Sequence, residues 1–88
     1  MPSRHWLQVA TGRDAEALAW DWRRIKRQAD GLLDDATPHL AAWGESTRLL
    51  AGPFSAREVQ QLITQLKAKA IDTFRFTSAA GQEVRPLP

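Results

Sequence analysis

Few side chains in this chain are of a kind that does chemistry, and those few are scattered. His5 and His39 are its two histidines, and it has no cysteine. Disulfides and thiolate metal sites are therefore excluded, and two histidines alone make a poor start for a structural zinc site. Asp34-Asp35 stands where a helix should end, and Asp14 and Glu16 stand where one should begin, positions at which carboxylates serve as caps. No glycine-rich phosphate loop is present. These residues point away from catalysis and call for no cofactor or metal. The groups that remain suit binding: the amide of Gln8, the guanidinium of Arg48 and the indoles of Trp6 and Trp43, which offer planar hydrogen-bonding edges and flat apolar surfaces.

These groups need elements to hold them. Trp6 to Thr11 reads as a strand, with Leu7 and Val9 on one face and Trp6 and Gln8 on the other. Gly12 ends it, and Asp14 is placed to cap a helix. Leu18, Trp22, Ile25, Ala29 and Leu32 recur at steps of four, three, four and three, which predicts a helix over Asp14–Leu33. Arg23, Arg24, Lys26 and Arg27 lie largely off that stripe. Trp20 also lies off it, with Arg23 and Arg24 at i+3 and i+4, and is expected to pack against their stems in a cation–π arrangement. Pro38 bars helix beyond it. His39–Trp43 and Thr47–Ala51, separated by the turn residues Gly44-Glu45-Ser46, predict a hairpin that ends at Gly52-Pro53. Ser55-Ala56-Arg57-Glu58 has the form of a capping box, and Val59, Leu62, Ile63, Leu66 and Ala70 supply the stripe of a second helix, Ser55–Ala70. A last strand, Thr73–Thr77, sets Phe74 and Phe76 on one side and Arg75 on the other. Ala79-Ala80-Gly81-Gln82 reads as a turn, and Glu83–Pro88 as a loose or edge tail.

The order is β-α-β-β-α-β, and the chain repeats itself. Leu7-Gln8-Val9-Ala10 and Leu49-Leu50-Ala51-Gly52 stand 42 residues apart, and the stripe Leu18, Trp22, Ile25, Ala29 recurs as Val59, Ile63, Leu66, Ala70 at an offset of 41. Two such units are too few for a solenoid. They predict an α+β split sandwich of the ferredoxin-like or RNP-like kind, with a four-stranded antiparallel sheet and both helices on one face. The domain is expected at residues 5–78, with 1–4 and 79–88 as flexible or loosely packed ends. The bare face should carry Trp6, Gln8, Arg48 and Leu50, a platform for a ligand with no carboxylate pair or nucleophile–base set on it.

Composition narrows the partners. The chain has 88 residues, 43% hydrophobic and 25% charged, which suits one globular domain. The net charge is only +2, and nine of the twelve basic residues are Arg. An RNA-binding sheet of the RRM type shares this topology but needs aromatics on its third strand, where Arg48-Leu49-Leu50-Ala51-Gly52 has none. No apolar run approaches the ~18–20 residues that span a bilayer. Met1-Pro2-Ser3-Arg4-His5 does not open a signal peptide, since no apolar segment follows it.

Over His5–Phe76 the chain resembles the SPOR family of bacterial cell-envelope domains. Thr47-Arg48-Leu49-Leu50-Ala51-Gly52-Pro53-Phe54-Ser55 is similar to the family's strand with alternating Arg, then Gly-Pro-Phe, then a helix cap. Leu66-Lys67-Ala68-Lys69-Ala70-Ile71 is similar to its Leu-Lys-x-x-Gly, with Ala70 in place of the Gly. Trp6-Leu7-Gln8-Val9-Ala10-Thr11-Gly12 resembles the family's Val-Gln-Val-Gly-Ser-Phe run, with Ala10 for the Gly and no Phe. The resemblance implies non-catalytic binding of peptidoglycan glycan strands stripped of their stem peptides. It implies a targeting module of a larger exported protein in the periplasm, often at the division septum, with the export signal outside this chain. It implies contacts from Gln8, Thr11, Arg48 and Phe74. Ser46 holds the position of a family aromatic, for which Trp43 across the turn is a substitute, and Leu50 shares the face. Gln8, Arg48 and Trp43 supply the planar donors and apolar surface that sugars need. Phe74 and Phe76 alternate together, so each is a candidate for core as well as for ligand. A monomer is expected, with no nucleic-acid partner and no insertion into a membrane. A protein–protein module using the same face is the alternative.

Overall fold

Alternation and apolar stripes become seven elements in the computed structural model, which describes residues 4–78 and 83–87. In chain order they are β1 Arg4–Gly12, α1 Ala15–Gln28, β2 Thr37–Trp43, β3 Ser46–Phe54, α2 Ala56–Lys67, β4 Phe74–Ser78 and β5 Arg85–Pro86. The strands form one antiparallel sheet in the order β4-β1-β3-β2-β5. β1 and β3 are its central neighbours, as the internal repeat requires. The expectation of four strands is corrected to five. The tail returns along the outer edge of β2, pairing Pro86 with His39 and Arg85 with Leu40, and the Leu87 amide donates to the Pro38 carbonyl at 3.0 Å. It covers an edge that would otherwise present free backbone groups. The turn expected at Ala79-Ala80-Gly81-Gln82 lies outside the described residues, as do residues 1–3 and Pro88 of the expected loose ends.

Both helices start where their caps predict and end earlier than their stripes do. The Asp14 carboxylate accepts from the Glu16 amide at 2.9 Å. At α2 the Ser55 hydroxyl accepts from the Glu58 amide at 3.2 Å, and the Glu58 carboxylate accepts from the Ser55 amide at 3.0 Å. The Ser55 backbone bond, followed by that to its side chain, holds the Glu58 carboxyl below its ordinary 4.5. Helix α1 stops at Gln28, five residues short of the expected Leu33. Asp30 and Gly31 take φ of +54° and +93°, which no helix continues, and Leu32, Asp34 and Ala36 then close single turns. Helix α2 stops at Lys67 in place of Ala70. The Ile71 amide bonds to the Leu66 carbonyl at 2.9 Å and the Ala70 amide to the Lys67 carbonyl at 3.0 Å, the paired bonds of a Schellman motif. Ala70 takes its left-handed position, φ +62°. The Gln28 amide donates to the Lys69 carbonyl at 3.0 Å and so ties the two helix ends together.

The helices lie on one side of the sheet. Leu18, Trp22 and Ile25 of α1 and Val59 and Leu66 of α2 close over Leu7, Leu40 and Leu49. The other side has a second, smaller core of Trp6, Ala41, Leu50 and Phe76, against which Val84 packs. The face expected to be bare is thus closed around Trp6, which is 1% exposed. Gly52 makes the room: a Cβ there would stand 3.1 Å from the Trp6 ring, and its φ of +148° disfavours any side chain.

A left-handed alanine sets the prediction here. An L-residue in that region costs roughly 1–2 kcal/mol, a strain glycine lacks. Ala70→Gly should therefore raise unfolding free energy by about 1 kcal/mol after the entropic cost of glycine, read from urea denaturation.

Candidate functional site

Simple alternation separates Gln8 from Thr11, since residues three apart on a strand point to opposite faces. The backbone brings them together. Gln8 pairs with Leu50 and Ala10 with Leu49, so β1 carries one extra residue at Val9, a bulge. Beyond it Thr11 pairs with Arg48. Val9 and Ala10 both pack toward the helix-side core, and Gln8, Thr11, Arg48 and Leu50 share the face turned away from the helices. A second irregularity, between His5↔Phe54 and Leu7↔Ala51, places the extra residue on β3 at Gly52-Pro53 and seats Trp6 there.

Two rows of side chains cross the sheet on this face. One runs Phe74, Gln8, Leu50, His39 over β4, β1, β3 and β2, and the other runs Thr11, Arg48, Ala41 over β1, β3 and β2. At a strand spacing of ~4.8 Å the first row is roughly 14 Å long. Leu50 lies fully buried within it and supports the face from beneath, while Gln8 and His39 are partly exposed. Thr11 is exposed. Phe74, 66% exposed, stands at one end. Its alternation partner Phe76 is buried, so of the two phenylalanines Phe76 belongs to the core and Phe74 does not.

Arg48 is the ordered cation of this face. Its guanidinium carbon lies 4.6 Å from the Trp43 ring centroid and 4.9 Å from that of Phe76. Rings of β2 and β4 thus hold a side chain of β3. Arg48 Nε is buried and has no hydrogen-bond partner among the described residues. Stacking occupies the faces of a guanidinium, and its donors point outward in the plane. Trp43 is the register partner of Ser46 across the Gly44-Glu45 turn and is 57% exposed, so its indole serves Arg48 and still offers apolar surface. Ser46 is partly buried at the hairpin end.

Sequence reasoning missed one member of this face, His39, and left Phe76 open between core and ligand. His39 packs against Trp6 with ring centroids 4.7 Å apart and the planes tilted by 55°, its Nδ1 near the Thr37 hydroxyl and carbonyl. Phe76 is the second platform for Arg48. Both lie on the same side as Gln8 by register, so strand alternation was their only signal, and it does not distinguish a platform from a contact. His5, the other histidine, sits on β1 with its Nδ1 3.5 Å from the Thr77 hydroxyl. The two histidines belong to different contacts, and among the described residues no three His, Cys, Asp or Glu side chains gather to hold a metal. None of Gln8, Thr11, Trp43, Ser46, Arg48 and Phe74 is a carboxylate. The arrangement donates hydrogen bonds from an amide, a hydroxyl and a guanidinium, and flanks them with two exposed rings.

Comparison with known proteins yields one family: the model described as "SPOR domain" matches residues 2–77. Neither the curated proteins nor the solved structures contain a match.

The two tryptophans of this face should behave oppositely. Trp6→Ala empties the second core and should cost ~3–5 kcal/mol. Trp43→Ala removes an exposed cation–π contact worth ~0.5–1 kcal/mol. Urea denaturation of both variants measures the difference.

Proposed function

The chain belongs to the SPOR domain family, whose domains bind peptidoglycan and are associated with bacterial cell division, and we propose that this one grips glycan strands lacking stem peptides, without catalysis. The observation that supports it most is the alignment of Gln8, Thr11 and Arg48 on one face between exposed Trp43 and Phe74. A bare glycan offers hydroxyls and N-acetyl carbonyls at its edges and C–H surface on its ring faces. The Gln8 amide and Arg48 guanidinium donate to the carbonyls, the Thr11 hydroxyl meets a sugar hydroxyl, and the Trp43 and Phe74 rings cover the C–H surface. Ser46 stands beside Trp43 and contributes a further hydroxyl, and Leu50 keeps the floor rigid.

Nothing in this set activates water or a nucleophile. Hydrolysis of a glycosidic bond ordinarily uses an acid and a second carboxylate about 5–9.5 Å apart, and the seven residues named include no carboxylate. In this reading residues 5–78 are the binding unit, working as a monomer in the periplasm inside a larger cell-envelope protein. No helix among the described residues is long and apolar enough to cross a membrane. Recognition depends on neutral hydrogen bonds worth ~0.5–1.5 kcal/mol each and one charged donor worth ~1.5–3 kcal/mol, so affinity is modest and shared among contacts.

Sedimentation with purified sacculi tests this. Binding should rise when an amidase strips the stem peptides first. Gln8→Glu and Arg48→Ala should each weaken it by the amounts just given, with circular dichroism unchanged. Arg57→Ala, on the exposed side of α2, should bind like wild type. Equal binding by both face variants contradicts the site, and release of soluble muropeptides by the pure domain contradicts its non-catalytic character.

A further inference from the structure

The most exposed large apolar side chain of the described residues is on neither side of the sheet. Trp20, on α1, is 69% exposed. At ~3.6 residues per turn it falls roughly opposite the buried Leu18, Trp22 and Ile25, on the outermost line of the helix, and Arg23, Arg24 and Arg27 fall within roughly 60° of it. The Arg23 guanidinium carbon lies 4.7 Å from the indole centroid. The packing expected between Trp20 and Arg23 is present, yet most of the ring remains in solvent. Arg24 pairs with Asp21 at 3.3 Å. Among the described residues no carboxylate forms an ion pair with Arg23, Lys26 or Arg27.

Residues 20–27 hold four cations and one carboxylate, a net of +3, while the whole chain carries +2. The remainder therefore sums to −1, so this segment carries the protein's excess positive charge. Three of its cations, Arg23, Arg24 and Arg27, lie on the ridge, while Lys26 lies about 120° from Trp20 and lines a neighbouring hollow with Arg23, Arg27, Asp30 and Asp34. Trp20, Asp21, Arg23, Arg24 and Arg27 also line an open hollow of about 330 Å³ beside the indole.

Indole and guanidinium side by side are suited to two kinds of partner, an acidic protein or an anionic lipid surface. A specific protein interface covers ~800 Å² per partner, whereas eight helical residues extend only ~12 Å. A bilayer needs no matching surface. Its phosphates accept from guanidinium groups, and an indole rests at headgroup depth. We propose that the outer ridge of α1, built by Trp20, Arg23, Arg24 and Arg27, docks on an anionic phospholipid surface. The ridge faces away from the sheet face assigned to glycan, so one domain contacts the membrane on one side and the wall on the other. That two-sided geometry rests on the glycan reading; the lipid contact itself does not.

Vesicle flotation with the full chain tests it. The chain should float with vesicles of phosphatidylcholine and phosphatidylglycerol and not with phosphatidylcholine alone. Each basic residue near such a surface contributes about 1 kcal/mol, so R23Q/R24Q/R27Q should bind on the order of 100-fold more weakly. W20A should bind several-fold more weakly. The triple variant should keep its circular dichroism and its sedimentation with sacculi. Flotation indifferent to phosphatidylglycerol, absent at low salt, or unchanged in the triple variant overturns the proposal. So does retention on immobilised polyglutamate as strong as on the mixed vesicles and equally dependent on Trp20, which assigns the ridge to an acidic protein. Loss of sacculus binding by the folded triple variant would place the ridge in the wall site and overturn it too. Wild type that floats but ignores sacculi leaves the lipid contact standing and sinks the glycan reading instead.

Discussion

Burial of Trp6 on the sheet face turned away from the helices is the interaction on which the rest of the structure depends. A chain of this length buries only about 60–65% of its unfolded surface, and covering one side of the sheet with helices leaves the other open. Trp6 closes it. Its ring sits where Gly52 has no side chain, the His39 ring packs against it at a tilt, and its register partner Phe76 lies beside it. Arg48 in turn stacks on Phe76. The candidate face is thus built on a second core, and the guanidinium is held by a ring that is itself packed with Trp6.

Two local irregularities turn that support into a site. The residue added to β3 at Gly52-Pro53 seats Trp6, and the one added to β1 at Val9 swings Thr11 to the same side as Gln8. Without the second bulge, Thr11 would point into the helix-side core and Arg48 would lose its neighbour. Bulges recur where a strand must re-aim a side chain for a ligand. The caps act at longer range. The Ser55–Glu58 box fixes where α2 leaves β3, and the Schellman turn at Ala70 fixes where the chain enters β4, so Phe74 and Phe76 arrive in register with Gln8 and Trp6.

Much of this was legible in the residues. The stripes Leu18-Trp22-Ile25 and Val59-Leu66, the capping box and the offset repeat were enough for two helices on one face and for β1 beside β3. The alternation of Gln8 and Arg48 put them on the face where the structure has them. What was not legible has physical reasons. Two residues, Arg85-Pro86, carry no period, so β5 had no signal. Leu32 and Leu33 keep the helical spacing after the backbone has left the helix at Asp30, because a turn can bury the same side chains. Ala70 conceals a glycine-like conformation behind an alanine. The bulge at Val9 leaves no mark, since Leu7, Val9 and Ala10 are all apolar whether or not the strand is regular. Trp6 and Trp43 have the same composition and opposite fates, which only cross-strand neighbours decide.

The central claim is that one face, resting on Trp6 and ordered by Arg48, is where the glycan lies. Chemical-shift mapping with soluble, peptide-free glycan strands tests it most directly, because it reports every contact at once in an unaltered protein. The side-chain signals of Gln8, Arg48 Nε and the Trp43 indole should move together with the amides of Thr11 and Phe74, while Arg57 and the outer ridge of α1 stay still. Shifts confined to the helices, or none on β1 and β3 at saturating glycan, would contradict it.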